Sequence, residues 1–433
     1  MAGTDEPSAA AEQPATRQSP PVVGRRRLFG LLGAAGVTGV ALGGSAGAGI
    51  TASRLAPEAA PAAAQPSSAP APAAADPRRQ PGVATPLPAQ LRMLAFDLDP
   101  AVADRRDRRA LATVLTGWRR LAERLRAGEL AREAEALPMA GLPTENATLT
   151  IGFGPSLLTR LGLDAQRPEA LADLPVFPGD QLDPARCGGD VLVQVCAEDE
   201  LVASGVADLV RRQAAGVLRP RWSQNGFRAL NAAPQPNPPA RNLMGQVDGI
   251  NNPQPGSGLF DTTVWVPEWE RPQWMVNGTY LVVRRIRMLL DEWYALPVDR
   301  RDEVIGRHTG SGAPLGRQSL TDQIDLVAKR PDGQPHIPRD AHVRVSNPST
   351  NGGARMFRRP FNYDDGARPD GTRDAGLLFL AFQADPRRGF VPVMRSMATG
   401  GDALNRFIVH EASALFAIPP AGDGYVGQPL LEG

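Results

Sequence analysis

The chain has 433 residues, with 47 Lys or Arg against 46 Asp or Glu and a formal net charge of +1. That balance excludes a nucleic-acid binder held mainly by phosphate contacts, and 42% hydrophobic with only 5% aromatic residues excludes a multi-span membrane protein. Two cysteines cannot build a disulfide framework or a Cys-rich zinc site. The one lysine, Lys329, sits in a polar, turn-like run, so there is no G-x-x-x-x-G-K-[ST] phosphate loop and little basis for Schiff-base chemistry.

Arg25-Arg26-Arg27-Leu28-Phe29 precedes an uncharged, Gly/Ala-rich run from Leu28 to Ile50. A basic cluster before an apolar stretch reads as an export signal, and Arg26-Arg27-x-Phe29 resembles the twin-arginine type. The run is also long enough for a single membrane anchor, but its glycines favour the signal. Export places the protein in the periplasm, the envelope or outside the cell. The sequence divides into a signal peptide over 1–55, a Pro/Ala tether over 56–81, and two halves over 82–235 and 240–433, separated by the Pro-rich break Asn231 to Pro239.

In the first half, alternation predicts a strand over Leu91 to Leu98, and three- and four-residue spacing of Leu111, Val114, Leu115, Trp118, Leu121 and Leu125 predicts a helix within Asp104 to Ala136. Strands follow over Ala147 to Phe153 and Asp190 to Cys196, then a helix over Ala197 to Ala215. The second half reads as a strand over Gly278 to Arg287, a helix over Leu289 to Ile305, a strand over Gly376 to Gln383 and a helix over Ala403 to Leu415. This content predicts an α+β duplication with antiparallel sheets. Cys187 and Cys196 read as small buried apolar residues, although export would allow them to oxidise.

The chain has four histidines: His308, His336, His342 and His410. They are too few for a His-rich metal site but sufficient for one axial ligand. His410 reads as a residue of the last helix. His342, in Asp340-Ala341-His342-Val343-Arg344-Val345, lies on alternation that predicts a half-buried strand. Taken locally, Gly245-Gln246-Val247-Asp248-Gly249 is an Asp-Gly turn, and Arg358-Arg359 is a solvated or phosphate-facing pair.

In order, G-Q-V-D-G at 245–249, H-V-R-V-S-N-P at 342–348 and R-R-P-F-N-Y at 358–363 resemble the dye-decolorising peroxidases, in particular their exported, deferrochelatase-like class. Supporting pieces run from Pro81-Gly82-Val83 to Phe382-Gln383, so the resemblance covers the chain from about residue 80 onward. It implies a duplicated ferredoxin-like fold (a dimeric α+β barrel) and one haem b per chain, held mainly by the second half. His342 is then the proximal iron ligand, Asp248 the distal acid and Arg358 the distal arginine, with Gly249 and Arg358 beside the cofactor.

The implied partners are hydrogen peroxide and an organic reductant such as a dye or phenol. The alternative role is an envelope haem- or iron-handling protein that releases iron from haem, with a membrane permease for iron uptake. A homo-oligomer is compatible with either. Ile250 and Met394 depart from residues common in the family. His308 is the fallback ligand, Asp385 a candidate hydrogen-bond partner of the proximal imidazole, and Trp222, Trp274, Tyr280 and Tyr363 candidate electron relays.

Overall fold

Nine strands carry the alternating and β-branched segments: β1 (Gln90–Leu98), β2 (Thr148–Phe153), β3 (Val191–Ala197), β4 (Leu218–Phe227), β5 (Thr279–Met288), β6 (Phe357–Arg358), β7 (Phe361–Ala367), β8 (Arg373–Gln383) and β9 (Ile408–Ile418). The computed structural model describes residues 76–133, 138–229 and 241–433; the expected export leader, most of the expected tether and the Pro-rich break lie outside the described residues.

Every pairing is antiparallel. The first four strands lie in the order β4-β1-β3-β2 and the second set in the order β9-β5-β8-β7, with β6 added beside β8. Each half therefore repeats one arrangement (last, first, third, second), which is the duplicated ferredoxin-like α+β fold. Single bridges at Phe153↔Ala417 and Phe227↔Asn362 join the halves and close the ring. The 181–188 loop runs along β9 beside the first seam, with Gln181 N donating to His410 O at 2.9 Å and Asp183 N to Glu411 O at 2.8 Å.

Side chains alternate across these strands. Leu91, Met93, Leu281, Leu380, Phe382 and Phe416 fill the space between the two sheets. Helix 108–126 buries its predicted stripe against the outer face of the first sheet, and Asp107 caps it by accepting from Ala110 N at 3.0 Å. It stops at Arg126, well short of Ala136, where Gly128 takes a φ of +62°. Pro297 splits the predicted 289–305 helix into Leu290–Ala295 and Val298–Ile305.

Other expectations fail more fully. Ala403 to Leu415 is not a helix: a short 3-10 turn at Ala403–Arg406 leads into β9, whose ten-pair register with β5 overrides the helix propensity of its alanines. His410 is therefore buried on a central strand. His342 opens a four-residue helix, His342–Val345, because two alternating valines are too short a signal to specify a strand. The helix Phe390–Thr399, with Pro392 in its first turn, escaped the sequence reading. The end of the expected tether is also part of the folded body: Gln80 is buried and donates to the carbonyls of Ile151 and Pro419.

Candidate active site

On β5, Arg284, Ile286 and Met288 point to the outer face of the second sheet and line a cavity of about 240 Å³. Leu377 and Phe379 of β8, Ile408 of β9 and Met394 of helix 390–399 give it apolar walls. His342, Asp248, Gly249 and Arg358 all border this one cavity. The chain thus brings together residues spread over 110 positions of sequence.

His342 is fixed by a residue that sequence reasoning missed. Its Nδ1 lies 2.8 Å from Oδ2 of Asp402, whose side chain is fully buried. The second carboxylate oxygen accepts from Leu404 N at 2.9 Å, so Asp402 cannot swing away. A carboxylate at Nδ1 favours the proton there and leaves Nε2, which has no hydrogen-bond partner among the described residues, with a free lone pair. Burial alone would lower the His342 pKa, but the charge and hydrogen bond of Asp402 outweigh it and hold the imidazole above its ordinary value. Arg358 and Asp248 act on the same charge with opposite signs, which places that pair within electrostatic reach of the ring.

Asp248 and Arg358 form an ion pair, Oδ1 to Nη1, at 3.2 Å. The turn that presents Asp248 closes through Gly249, at a φ of +82°, whose N donates to Asp248 Oδ1 at 2.6 Å. Asn252 ties this turn to β6: its side chain donates to Arg358 O at 2.7 Å and accepts from Arg358 N at 3.1 Å. A side recess of about 50 Å³ shares Asp248, Gly249 and Arg358 with the main cavity.

Buried cations complete the cavity. Arg307 is buried and donates to Gly312 O at 2.7 Å, with no carboxylate at ion-pair distance among the described residues; burial first, and then the charge of Arg358, push its pKa down to about 10. Arg284 is paired with Asp180, yet its Nε and Nη1 are buried without partners among the described residues. His410 has both ring nitrogens unpartnered, and burial, aided by the Arg284 charge, lowers its pKa to about 3. One free imidazole nitrogen, apolar walls and undercompensated arginines suit a flat iron-bearing macrocycle with acidic substituents. They do not suit a bare ion: among the described residues no cluster of three or more His, Cys, Asp or Glu could hold one.

Comparison with known proteins decides the family. Models of the Dyp-type peroxidase N-terminal and C-terminal domains match residues 80–228 and 239–423. The chain belongs to the Dyp-type peroxidase family. It is 46% identical over 420 residues to the dye-decolorizing peroxidase of Thermobifida fusca (strain YX), covering 94% of this chain and 97% of that one. It is 32% identical over 430 residues to the deferrochelatase of Escherichia coli (strain K12), again over 94% and 97%. The structure of ferric DtpA from Streptomyces lividans superposes with a TM-score of 0.77 at 46% identity, over 82% of this chain and 96% of that one. This Dyp-type peroxidase is thus an oxidoreductase that acts on peroxide.

Two secondary assignments for this peroxidase change. Asp385 is not the partner of the His342 imidazole: it pairs with Arg387 at 2.9 Å, and Asp402 holds the position. His308 does not line the cavity; its Nδ1 lies 3.2 Å from Asp302 in the Gly-flanked loop. The two departures, Ile250 and Met394, both border the cavity, and the Asp248–Arg358 pair is intact beside them. The cysteines are unpaired, Cys196 buried and Cys187 half-buried. Asp402 left no readable signal beyond that of a cap residue, since it lies 60 positions from His342.

Proposed function

We propose that the protein is an exported haem b peroxidase in which His342 would hold the iron and Asp248 and Arg358 would assist cleavage of the peroxide bond. The observation that carries this reading is the juxtaposition, on one cavity, of an imidazole with its outer nitrogen committed to Asp402 and an aspartate–arginine pair within electrostatic reach of it. Bound haem would supply an iron with one open coordination position, where peroxide is reduced and reducing equivalents from an aromatic donor are consumed.

The chain's own groups do the rest. His342 Nε2 would give its lone pair to the iron, and Asp402 increases its basicity. The Asp248 carboxylate takes the proton from the inner peroxide oxygen and returns it to the outer one, which then departs as water. The Arg358 guanidinium stabilises the charge that grows on the departing oxygen, and Asn252 holds the Arg358 backbone against the Asp248 turn. Arg307, buried without a carboxylate, would take up an acidic substituent of the cofactor. Dyes and phenols are the proposed donors, and the twin-arginine route the proposed path of export. The deferrochelatase relatives support a second reading, iron release from haem at the same site.

A visible spectrum taken before and after one equivalent of hydrogen peroxide tests both. A Soret band that shifts and then recovers when a dye is added supports the peroxidase; a band that loses its iron favours the second reading. Asp248→Asn should lower kcat/KM for peroxide by about 10²–10⁴ while haem stays bound, and unchanged turnover would remove the acid from the scheme.

A further inference from the structure

A second cavity lies across the sheet from the first. Val283 and Arg285 of β5, Leu378 of β8 and Ala412 and Ala414 of β9 line it. On β5 and β8 these alternate with Arg284, Ile286, Leu377 and Phe379, which line the first cavity, so one β-layer separates the two spaces. The second cavity measures about 320 Å³ and opens between Trp222 and Ser223 of β4 and the turn Pro184–Arg186.

Size gives this space a purpose. The side recess beside Asp248 and Arg358 measures about 50 Å³. A benzene ring is taken up by a cavity of roughly 150 Å³. The recess therefore admits a peroxide but no aromatic ring, whereas the second cavity has room for a substituted one.

We propose that this second cavity binds a one-ring phenol as the electron donor; the proposal rests on the peroxidase reading and locates its reductant. Ala412, Ala414, Val283 and Leu378 form a floor of small and medium apolar side chains against which a ring can lie. The half-buried Trp222 is held in place by its Nε1, which donates to Gly188 O at 2.8 Å, and offers its indole as a wall. The three guanidinium groups of its wall are all paired, Arg186 with Asp183, Arg221 with Asp97 and Arg285 with Asp365, Asp374 and Glu411, so the surroundings suit a neutral phenol whose hydroxyl can hydrogen-bond at the polar rim. Arg285 is fixed from behind, bound to Gln224 at 2.9 Å, Asp365 at 3.0 Å and Asp374 at 2.7 Å, and also to Glu411.

Each phenol loses one electron and its hydroxyl proton and leaves as a phenoxyl radical. The electron crosses the β5–β8 layer to the first cavity, and the proton leaves to water at the open rim. Two phenols supply the two electrons and two protons that turn one peroxide into two waters.

Binding of 4-fluorophenol to the full-length holoenzyme without peroxide, followed by ¹⁹F NMR, tests the site. Ser223→Trp and Ala185→Trp narrow its mouth from opposite sides, and both residues are exposed. Each should weaken 4-fluorophenol binding at least about tenfold and raise KM for guaiacol by a similar factor, with KM for peroxide and the Soret band unchanged. Unaltered fluorophenol binding, or an unaltered KM for guaiacol, in both variants would overturn the proposal. If the unaltered protein binds 4-fluorophenol in a Ser223-dependent way but shows no peroxide turnover, the phenol site stands and the peroxidase reading falls.

Discussion

Arg284 and Arg285 are neighbours on one strand, equally buried, and serve opposite ends. Arg285 faces the space between the sheets, where Gln224, Asp365, Asp374 and Glu411 surround it and the ring of Tyr363 lies 4.0 Å from its guanidinium carbon. Glu411 in turn receives Arg287 at 2.7 Å and Arg368 at 2.9 Å. Gln224 belongs to the first half, so this network ties the two halves together. Arg284 faces the first cavity with one carboxylate, Asp180, and two donor atoms that have no partner among the described residues. A fully satisfied buried cation reads as architecture; one left partly unsatisfied beside a cavity reads as a place kept for something else.

The largest expected effect comes from breaking the satisfied side. Arg285→Ala leaves Asp374 without its partner and takes one cation from Asp365 and Glu411, and should cost about 3–5 kcal/mol of unfolding free energy, measured by denaturant titration. A loss below about 1 kcal/mol would mean that water replaces the guanidinium and that the network is not structural. On the cavity side the effect should fall on the cofactor and leave the fold intact. Asp402→Asn leaves His342 without a charged partner and should cost about 10–100-fold in haem affinity or turnover, with little change in melting temperature. Smaller again, Arg284→Met combined with Asp180→Asn removes the buried pair as a unit and should weaken haem binding about tenfold in a titration of the apoprotein. Equal stability losses in Arg285→Ala and the double variant would erase the distinction between the two arginines.

None of this contrast is visible in Leu281-Val282-Val283-Arg284-Arg285-Ile286, where two arginines interrupt an apolar strand and nothing says which faces what. In the first half β1, β2, β3 and the two long helices were legible because apolar spacing and burial coincide there, as at Leu111, Val114, Leu115 and Trp118, whereas β4, whose residues are mostly exposed, was not expected. The end of the chain was not, since Ala412, Ala414 and Ala417 favour a helix locally and are strand residues only because β5 lies beside them. Asp248, His342 and Arg358 were legible through an ordered resemblance, and the structure brings all three to one cavity. Asp402 and Asn252 act through contacts across 60 and 106 positions, a distance over which a single sequence carries no pairing information.

The smallest effect sharpens the comparison on the cavity face itself. His410 stands beside Arg284, with both ring nitrogens unpartnered and a pKa lowered from an ordinary 6.5 to about 3, by burial first and then by the Arg284 charge. The folded protein keeps this imidazole neutral, while the unfolded chain protonates it below about pH 6.5. Its contribution to stability is therefore complete above that pH and is lost as pH falls toward 3, at a limiting slope of about 1.4 kcal/mol per pH unit. Denaturant titrations between pH 6 and 4.5 should show this slope in the native protein and lack it in His410→Leu. Equal slopes in the two proteins would mean that His410 finds a partner in solution. The cavity face would then be no less satisfied than the interior one, and the orphaned donors of Arg284 would lose their significance with it.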